Sequence, residues 1–211
     1  SWVINDPLIH VAHSAHPDLG INAISRLIIV VNHLFKQYNT TIEVFDFFSK
    51  YLNLEHNGKS LGIDFEDESG KLTLNVGRLT LENSILEIGM NLRVPIHTST
   101  TSIKEAFLKY CKLYPNINFN DKDFMPSLYI SKDDVLIKTL CKIFNETTNS
   151  NVEPIAIGGA TYARAFKNCV SFGPDFPGCK DMCHQTDEFI DIDNLILSCK
   201  IYAKAILQLG N

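Results

Sequence analysis

The sequence predicts an α+β sandwich with an antiparallel sheet, followed by an incomplete α/β layer. Two observations lead to this fold class. Apolar residues recur at helical spacing on both sides of a stretch, residues 72–94, in which the apolar period changes to two. A polar segment, residues 120–126, then interrupts the pattern and is typical of a domain boundary. The predicted domains are therefore residues 1–124 and 125–211.

The first predicted domain alternates helices and strands. Its helices show apolar residues three and four apart, and its strands show them at every second position, which is typical of a sheet with one buried face. This order is expected of a small α+β sandwich. The predicted elements are a strand at 8–12, helices at 24–35 and 44–52, strands at 72–76 and 86–94, a helix at 101–114 and a strand at 116–119.

The second predicted domain has too few strands for a complete layer. Ser131 and Asp134 form a variant of the capping box, and GGATYAR at 158–164 predicts a turn into a short helix. The last helix has an apolar stripe that requires a wider sheet than this piece supplies, so we expect a larger N-terminal portion of the protein to be missing from this chain. The stripe consists of Ile192, Leu195, Ile196, Cys199, Tyr202, Ala203 and Ile206. The predicted elements are a helix at 131–144, strands at 152–157 and 168–172, and a helix at 192–207.

Composition argues against several classes of function. A net charge of −5 does not suit a nucleic-acid surface, which needs clustered Lys and Arg. No apolar run reaches the roughly 18 residues of a membrane span, and no signal-peptide pattern opens the chain. Cys111, Cys141 and Cys199 have apolar neighbours in helical patterns, which predicts buried, reduced thiols and a cytoplasmic protein.

Four short motifs carry the candidate chemistry. His13 lies in VAHSAHPDLGINA, Arg93 in MNLRVP and His184 in FGPDFPGCKDMCHQTDEF, while GGATYAR occupies 158–164. In this order they resemble the co-catalytic zinc aminopeptidase and carboxypeptidase superfamily that includes the aminoacylases, in particular its bacterial Xaa-His dipeptidase (PepV-like) branch. The similarity covers almost the whole chain. It implies a ferredoxin-like lid domain with an antiparallel sheet, followed by the C-terminal part of an α/β zinc-peptidase catalytic domain.

The resemblance also implies a role for each matched side chain. His184 corresponds to the zinc ligand near the end of the family's catalytic domain. His13 corresponds to the lid histidine that closes on the substrate and stabilises the tetrahedral oxyanion. Arg93 corresponds to the lid arginine that binds the C-terminal carboxylate of the substrate.

Family enzymes bind two zinc ions, which polarise the peptide carbonyl and lower the pKa of bound water. The other ligands are a His-x-Asp, a bridging Asp, a Glu-Glu pair and a further Asp, and we expect them to lie in the missing portion. This chain then supplies at most one zinc ligand, His184. The resemblance further implies that Gly158, Gly159 and Thr161 line the substrate side of the site.

Each motif also has a plain structural interpretation. His13 and His16 fit turn histidines at the entrance of a helix. Arg93 fits an ordinary solvated strand residue, because it lies on the face opposite its apolar neighbours. GGATYAR fits a strand-to-helix turn in which glycine supplies a positive φ.

A zinc knuckle is an alternative for the region around His184. Cys179, Cys183 and His184 have ligand chemistry, but the chain contains no second cysteine pair to complete four ligands. His97, although close to Arg93 in sequence, matches no family motif. We predict that it lies on the surface.

The leading functional prediction is a fragment of a zinc dipeptidase that hydrolyses the peptide bond of dipeptides, including Xaa-His dipeptides. Its partners are the dipeptide and the missing N-terminal catalytic segment, with no nucleic acid and no membrane. One alternative keeps the fold but hydrolyses N-acyl amino acids, as aminoacylases do. Another is a non-catalytic binding or dimerisation module. We expect the isolated chain to be inactive.

Overall fold

The structure, a computed structural model, describes residues 17–122, 124–173, 175–179, 182 and 186–210. The chain divides into two compact units. One runs up to Met125 and includes Ile157–Gly159; the other comprises Pro126–Ala156 and the chain from Ala160 onward. The predicted strand at 8–12 lies outside the described residues. The assignment of the units to a lid and a catalytic segment stays a prediction.

Three helices of the first unit confirm the predicted ones. They are α1 (Ala23–Gln37), α2 (Glu43–Tyr51) and α3 (Thr100–Cys111). α1 begins after Asn22, whose side-chain oxygen accepts a hydrogen bond from the Ser25 N–H at 2.9 Å. This cap satisfies one of the N–H groups that a helix leaves free in its first turn.

The strands of the first unit form two antiparallel hairpins. The predicted pair is present as β3 (Thr73–Glu82) and β4 (Ile85–Arg93), after a short hairpin of β1 (Glu66–Asp67) and β2 (Gly70–Lys71) that was not predicted. Asn83 and Ser84, which connect β3 to β4, both have positive φ. The two-residue type I′ turn requires this, and its twist suits the flanking strands.

A bulge at Gly77 divides β3 into two registers. The pairing shifts between Val76 and Arg78, so that one extra residue stands on β3. The apolar residues are accordingly even-numbered before the bulge, at Leu74 and Val76, and odd-numbered after it, at Leu79. One face of the hairpin therefore stays apolar along its whole length.

The apolar face of the β3–β4 hairpin contributes to the core of the first unit together with residues of α1, α2 and α3. Phe107 stacks on Phe119, with ring centroids 4.8 Å apart. The face of the hairpin opposite this core carries polar side chains. The largest fully buried side chains are Phe48, Phe107, Ile28, Ile63, Leu72 and Leu74.

The predicted strand at 116–119 is wrong. The Glu43 carboxylate accepts hydrogen bonds from the Asn116 backbone N–H (3.0 Å) and side-chain amide (3.1 Å), and the Ile117 N–H donates to the Tyr114 carbonyl. These bonds hold residues 114–117 in a turn beside the start of α2, where a strand would need the hydrogen-bond ladder of a sheet. The mixed α/β class is confirmed, but the described strands form two-stranded sheets only. The ferredoxin-like arrangement stays a prediction.

The second unit is built on two helices, α4 (Val135–Thr148) and α5 (Ile192–Leu209), which confirm the predicted helices. Asp134 caps α4, accepting from the Leu136 N–H at 2.8 Å, whereas the Ser131 hydroxyl accepts from the Asp133 N–H in the preceding turn. The helix therefore begins at the second member of the predicted capping pair. The buried core of the unit comprises Leu140, Ile143, Ile201 and Ala205.

The predicted strands at 152–157 and 168–172 are also wrong, since neither segment pairs with a strand of the described chain. The side-chain amide of Asn145 accepts from the Val152 N–H (2.9 Å) and donates to the Val152 carbonyl (3.0 Å). The Asn145 side chain thus makes the two backbone hydrogen bonds that a neighbouring strand would make with Val152. Local apolar pattern detects extended backbone but not whether a partner strand is present.

The packing face of α5 differs from the predicted one. Ser198, Ile201 and Ala205 are buried, whereas the predicted apolar stripe is exposed except for the half-buried Tyr202. The stripe includes Ile192 (74% exposed), Leu195, Ile196 and Ile206 (72% exposed). Cys199 lies on this side and is exposed, contrary to prediction, while Cys111 is buried as predicted and Cys141 is half-buried. Neither α5 nor any other helix of the described chain has the length and apolar character needed to cross a membrane.

Candidate substrate-binding site

The polar face of the β3–β4 hairpin places four side chains near one end. Thr73 lies opposite Arg93 and Asn75 lies opposite Asn91 in the register. Side chains directly opposite each other have Cβ atoms about 4.5–5.5 Å apart. A Cβ at Gly77 would lie 3.2 Å from the Asn91 amide nitrogen and 3.7 Å from that of Asn75. The missing side chain at Gly77 therefore leaves room for both amides.

Arg93 differs from the other strand arginine in its environment. Its Nε is inaccessible to solvent and has no hydrogen-bond partner among the described residues, and the same is true of Oγ1 of Thr73. Arg78, on the same face, is exposed and forms an ion pair with Glu87. The ion pairs among the described residues do not include Arg93. A buried donor without a partner costs about 1–3 kcal/mol, so such a group calls for an explanation.

The segment that follows His13 is attached beside this polar face. The Asn22 side-chain amide donates to the Asn75 side-chain oxygen at 3.2 Å and to the Val76 carbonyl at 2.7 Å. The 3-10 helix Pro17–Leu19 also lies against β3. His13 itself lies outside the described residues. Its predicted role as the oxyanion histidine stays a prediction.

The motif GGATYAR forms an irregular segment that leads into a 3-10 helix, Tyr162–Ala165, as predicted. Neither Gly158 nor Gly159 is among the residues with positive φ. Their presence is therefore not explained by a left-handed turn, which was the structural interpretation of the motif. The Thr161 hydroxyl accepts a hydrogen bond from the Ser171 hydroxyl at 2.6 Å. Whether these residues line a substrate site stays a prediction.

His184, the predicted zinc ligand, lies outside the described residues, as does Cys183. Of the residues close to it in sequence, Glu188 is exposed and Asp187 has a positive φ of 58°. Cys179 is exposed and unoxidised, and its sulfur accepts a hydrogen bond from the Asn194 amide at 3.4 Å. The ligand role of His184 and the alternative zinc knuckle stay predictions.

One group of possible metal ligands occurs in the described chain: Asp67, Glu68 and His97. Burial of the Asp67 carboxylate opposes ionisation, but hydrogen bonds from Ser69 and from the His97 backbone N–H outweigh it and lower the pKa. A hydrogen bond with the Glu68 carboxylate, at 2.8 Å, raises the pKa of His97, which is exposed as predicted. Asp67 already accepts three hydrogen bonds. We therefore interpret this group as a structural contact that holds the β1–β2 turn against the segment after β4.

The described residues therefore do not supply the donor set of a two-zinc centre. Within the described chain, no other three His, Cys, Asp or Glu side chains lie close enough together to share a metal ion. The expectation that this chain has no His-x-Asp sequence is wrong, because one occurs at His16-Pro17-Asp18. Asp18 is exposed in the 3-10 helix beside β3 and is not part of a ligand cluster among the described residues.

Comparison with known proteins supports the resemblance. Residues 5–208 match the model of the family described as Peptidase family M20/M25/M40. The chain is 36% identical over 207 residues to "Putative dipeptidase YtjP" of Bacillus subtilis (strain 168), covering 94% of this chain and 42% of that protein. It is 32% identical over 199 residues to "Putative dipeptidase SH1171" of Staphylococcus haemolyticus (strain JCSC1435), covering 93% and 42%. The chain thus spans 42% of the length of these relatives and belongs to the M20/M25/M40 peptidase family.

Proposed function

We propose that the full-length protein carrying this chain is a zinc-dependent dipeptidase, and that this chain supplies part of its site. In this proposal Arg93 binds the C-terminal carboxylate of the dipeptide and His13 stabilises the oxyanion. His184 is one zinc ligand, with the remaining ligands outside the described residues. Gly158, Gly159 and Thr161 line the substrate side. Family membership and the names of the relatives support a peptidase that acts on dipeptides.

The observation that carries the proposal is the environment of Arg93. A solvated strand arginine has a hydrated Nε, whereas this Nε is buried and unpartnered. A guanidinium presents its N–H groups in a fork that matches a carboxylate. Because the Nε has no solvent-accessible surface, the side chain would turn toward the ligand on binding. A ligand carboxylate would then satisfy this donor and fix a short peptide by its end.

Carboxylate recognition alone does not distinguish a dipeptide from an N-acyl amino acid, because both end in the same group. The two substrates differ at the other end, where a dipeptide has a free amine and an N-acyl amino acid does not. The relatives carry dipeptidase names, which favours the dipeptide. We include Xaa-His dipeptides among the substrates on the strength of the PepV-like motifs.

The exposed stripe of α5 supports a missing catalytic segment. Ile192, Leu195, Ile196 and Ile206 form an apolar surface that α4 does not cover. Relatives of more than twice this length contain chain that has no counterpart here. We propose that the N-terminal part of the protein covers this stripe with the sheet that α5 lacks and brings the other zinc ligands.

The test uses the full-length protein, a Xaa-His dipeptide such as Gly-His, and N-acetylhistidine. We expect hydrolysis of the dipeptide and not of N-acetylhistidine. Arg93→Ala should raise KM for the dipeptide about 30-fold or more, since it removes a charge-assisted, bidentate interaction. Arg78→Ala is the matched control, because Arg78 lies on the same face but is exposed and paired with Glu87.

Two results would contradict the proposal. Hydrolysis of N-acetylhistidine without hydrolysis of dipeptides would establish the aminoacylase alternative. Absence of hydrolysis of either compound by zinc-loaded full-length protein would favour a non-catalytic module. An unchanged KM in Arg93→Ala, with an active wild type, would remove Arg93 from the site.

A further inference from the structure

Two unsatisfied polar atoms occur side by side at the end of the β3–β4 hairpin. Oγ1 of Thr73 and Nε of Arg93 are both inaccessible to solvent, and neither has a hydrogen-bond partner within the part of the chain that the structure describes. The register places these residues directly opposite each other on the polar face. Buried polar side-chain atoms are usually hydrogen-bonded. Two unsatisfied atoms at one cross-strand position therefore point to a ligand that binds both.

The chemistry of the two atoms defines that partner. The Nε–H of arginine is a donor only, whereas a threonine hydroxyl donates or accepts. Thr73 could accept from Arg93, yet the two side chains do not hydrogen-bond to each other. Neither atom has solvent-accessible surface in the free protein, so a ligand reaches them only after the two side chains turn toward the solvent. A ligand with two acceptor atoms and negative charge would then accept a hydrogen bond from each group. A carboxylate has this character.

We propose that Thr73 is a second ligand of the substrate carboxylate, donating its hydroxyl hydrogen to one carboxylate oxygen while the guanidinium of Arg93 binds the group. This inference rests on the proposed dipeptidase function and adds a residue that no sequence motif indicated. Thr73 sets specificity for a free C-terminal carboxylate, because a C-terminal amide has one acceptor oxygen instead of two and no negative charge.

The bulge at Gly77 is what brings Thr73 to this position. Between Arg78 and the turn at Asn83 and Ser84, the two strands pair in one continuous register. If that register continued past Gly77, Arg93 would lie opposite residue 74. The extra residue at Gly77 shifts the pairing, so that Arg93 faces Thr73 instead of the buried Leu74. The bulge thus places a hydroxyl beside the guanidinium.

The test compares KM and kcat of the full-length enzyme for Gly-His and for its C-terminal amide. Thr73→Val is nearly isosteric and removes only the hydroxyl. We expect KM for Gly-His to rise about 10-fold with kcat unchanged, since a bond to the non-reacting end contributes equally to ground-state and transition-state binding. KM for the amide should change less than 2-fold. Thr73→Ser should restore the wild-type KM for Gly-His.

A control variant and a stability measurement separate binding from folding. Thr80→Val alters a threonine on the same face that lies opposite Glu87, and it should leave both KM values unchanged. Because the Thr73 hydroxyl makes no bond in the free protein, Thr73→Val should not lower the Tm by more than about 2 °C.

The inference is overturned if Thr73→Val leaves KM for Gly-His within 2-fold of wild type, or if KM rises equally for the acid and the amide. It is also overturned if Thr73→Ser fails to restore binding. In these cases the wild-type enzyme still hydrolyses Gly-His, so the proposed function stands. A wild-type protein that hydrolyses no dipeptide refutes the proposed function, and the inference with it.

Discussion

Asp46 is the most informative position for stability in the first unit. Its carboxylate, with a side chain only 9% exposed, accepts hydrogen bonds from Lys36 (2.6 Å) and the Tyr114 hydroxyl (3.0 Å) and pairs with Lys50 (2.8 Å). Burial opposes ionisation, but these three partners outweigh it and lower the pKa of Asp46 from 3.8 to about 2. The Asp46 carboxylate therefore links α1, α2 and the segment directly after α3.

The magnitude follows from this pKa. A change of one pKa unit corresponds to about 1.36 kcal/mol, so the folded state gains about 2 kcal/mol from ionised Asp46. Since the folded pKa is lowered, this contribution is fully present above pH 4, near the unfolded pKa. It is lost as the pH falls through about 2.

Asp46→Asn tests this reasoning because it removes the charge and keeps the shape. Urea unfolding followed by circular dichroism should show a free energy of unfolding about 2 kcal/mol lower than wild type at pH 7. The difference should shrink steadily below pH 4. Asp121→Asn is the control, since its exposed pair with Lys104 at 3.4 Å should contribute little. A loss below about 0.5 kcal/mol at pH 7, or a loss that is undiminished at pH 2, would refute the account.

Two further predictions concern the backbone. Gly58 and Gly62 have nearly the same positive φ, 69° and 72°, but a Cβ at Gly58 would lie 2.4 Å from Ile63 Cγ1 while one at Gly62 meets nothing within 4 Å. Gly62→Ala should therefore cost about 1 kcal/mol of backbone strain and Gly58→Ala clearly more; equal losses in chemical denaturation would contradict this. Asn145→Ala removes both bonds to Val152 and should lower the free energy of unfolding by about 1 kcal/mol and accelerate hydrogen exchange of the Val152 amide. An unchanged exchange rate would show that Asn145 does not hold this segment.

The sequence predicted those features of the fold that depend on local periodicity. The helices α1 to α5 and the β3–β4 hairpin follow from apolar spacing, and the core face of the hairpin follows from alternation. The strands predicted at 116–119, 152–157 and 168–172 were wrong because a strand requires a partner strand, which none of them has among the described residues. In the first two segments a side chain bonds to the backbone instead, Glu43 to Asn116 and Asn145 to Val152. The prediction of the packing face of α5 was wrong because the buried face consists of Ile201 and two small residues, Ser198 and Ala205.

The candidate site was predictable only in part. Arg93 was found through its motif, and its position opposite the apolar face follows from alternation. Thr73, which we propose as a carboxylate ligand, lies in no motif, although its register position has a signal in the sequence. The apolar residues of β3 switch from even to odd positions across Gly77, and an isolated glycine inside a strand pattern indicates a bulge. Including that bulge in the register would have placed Thr73 opposite Arg93. His13 and His184 lie outside the described residues, so their roles stay predictions.

The zinc content of the isolated chain tests the central claim most directly. Elemental analysis by mass spectrometry, after removal of loosely bound metal, would be made on this chain and on the full-length protein. The account predicts two zinc ions per full-length protein and no stoichiometric zinc in the isolated chain, because most ligands lie elsewhere in the protein. Two tightly bound zinc ions per isolated chain would contradict it.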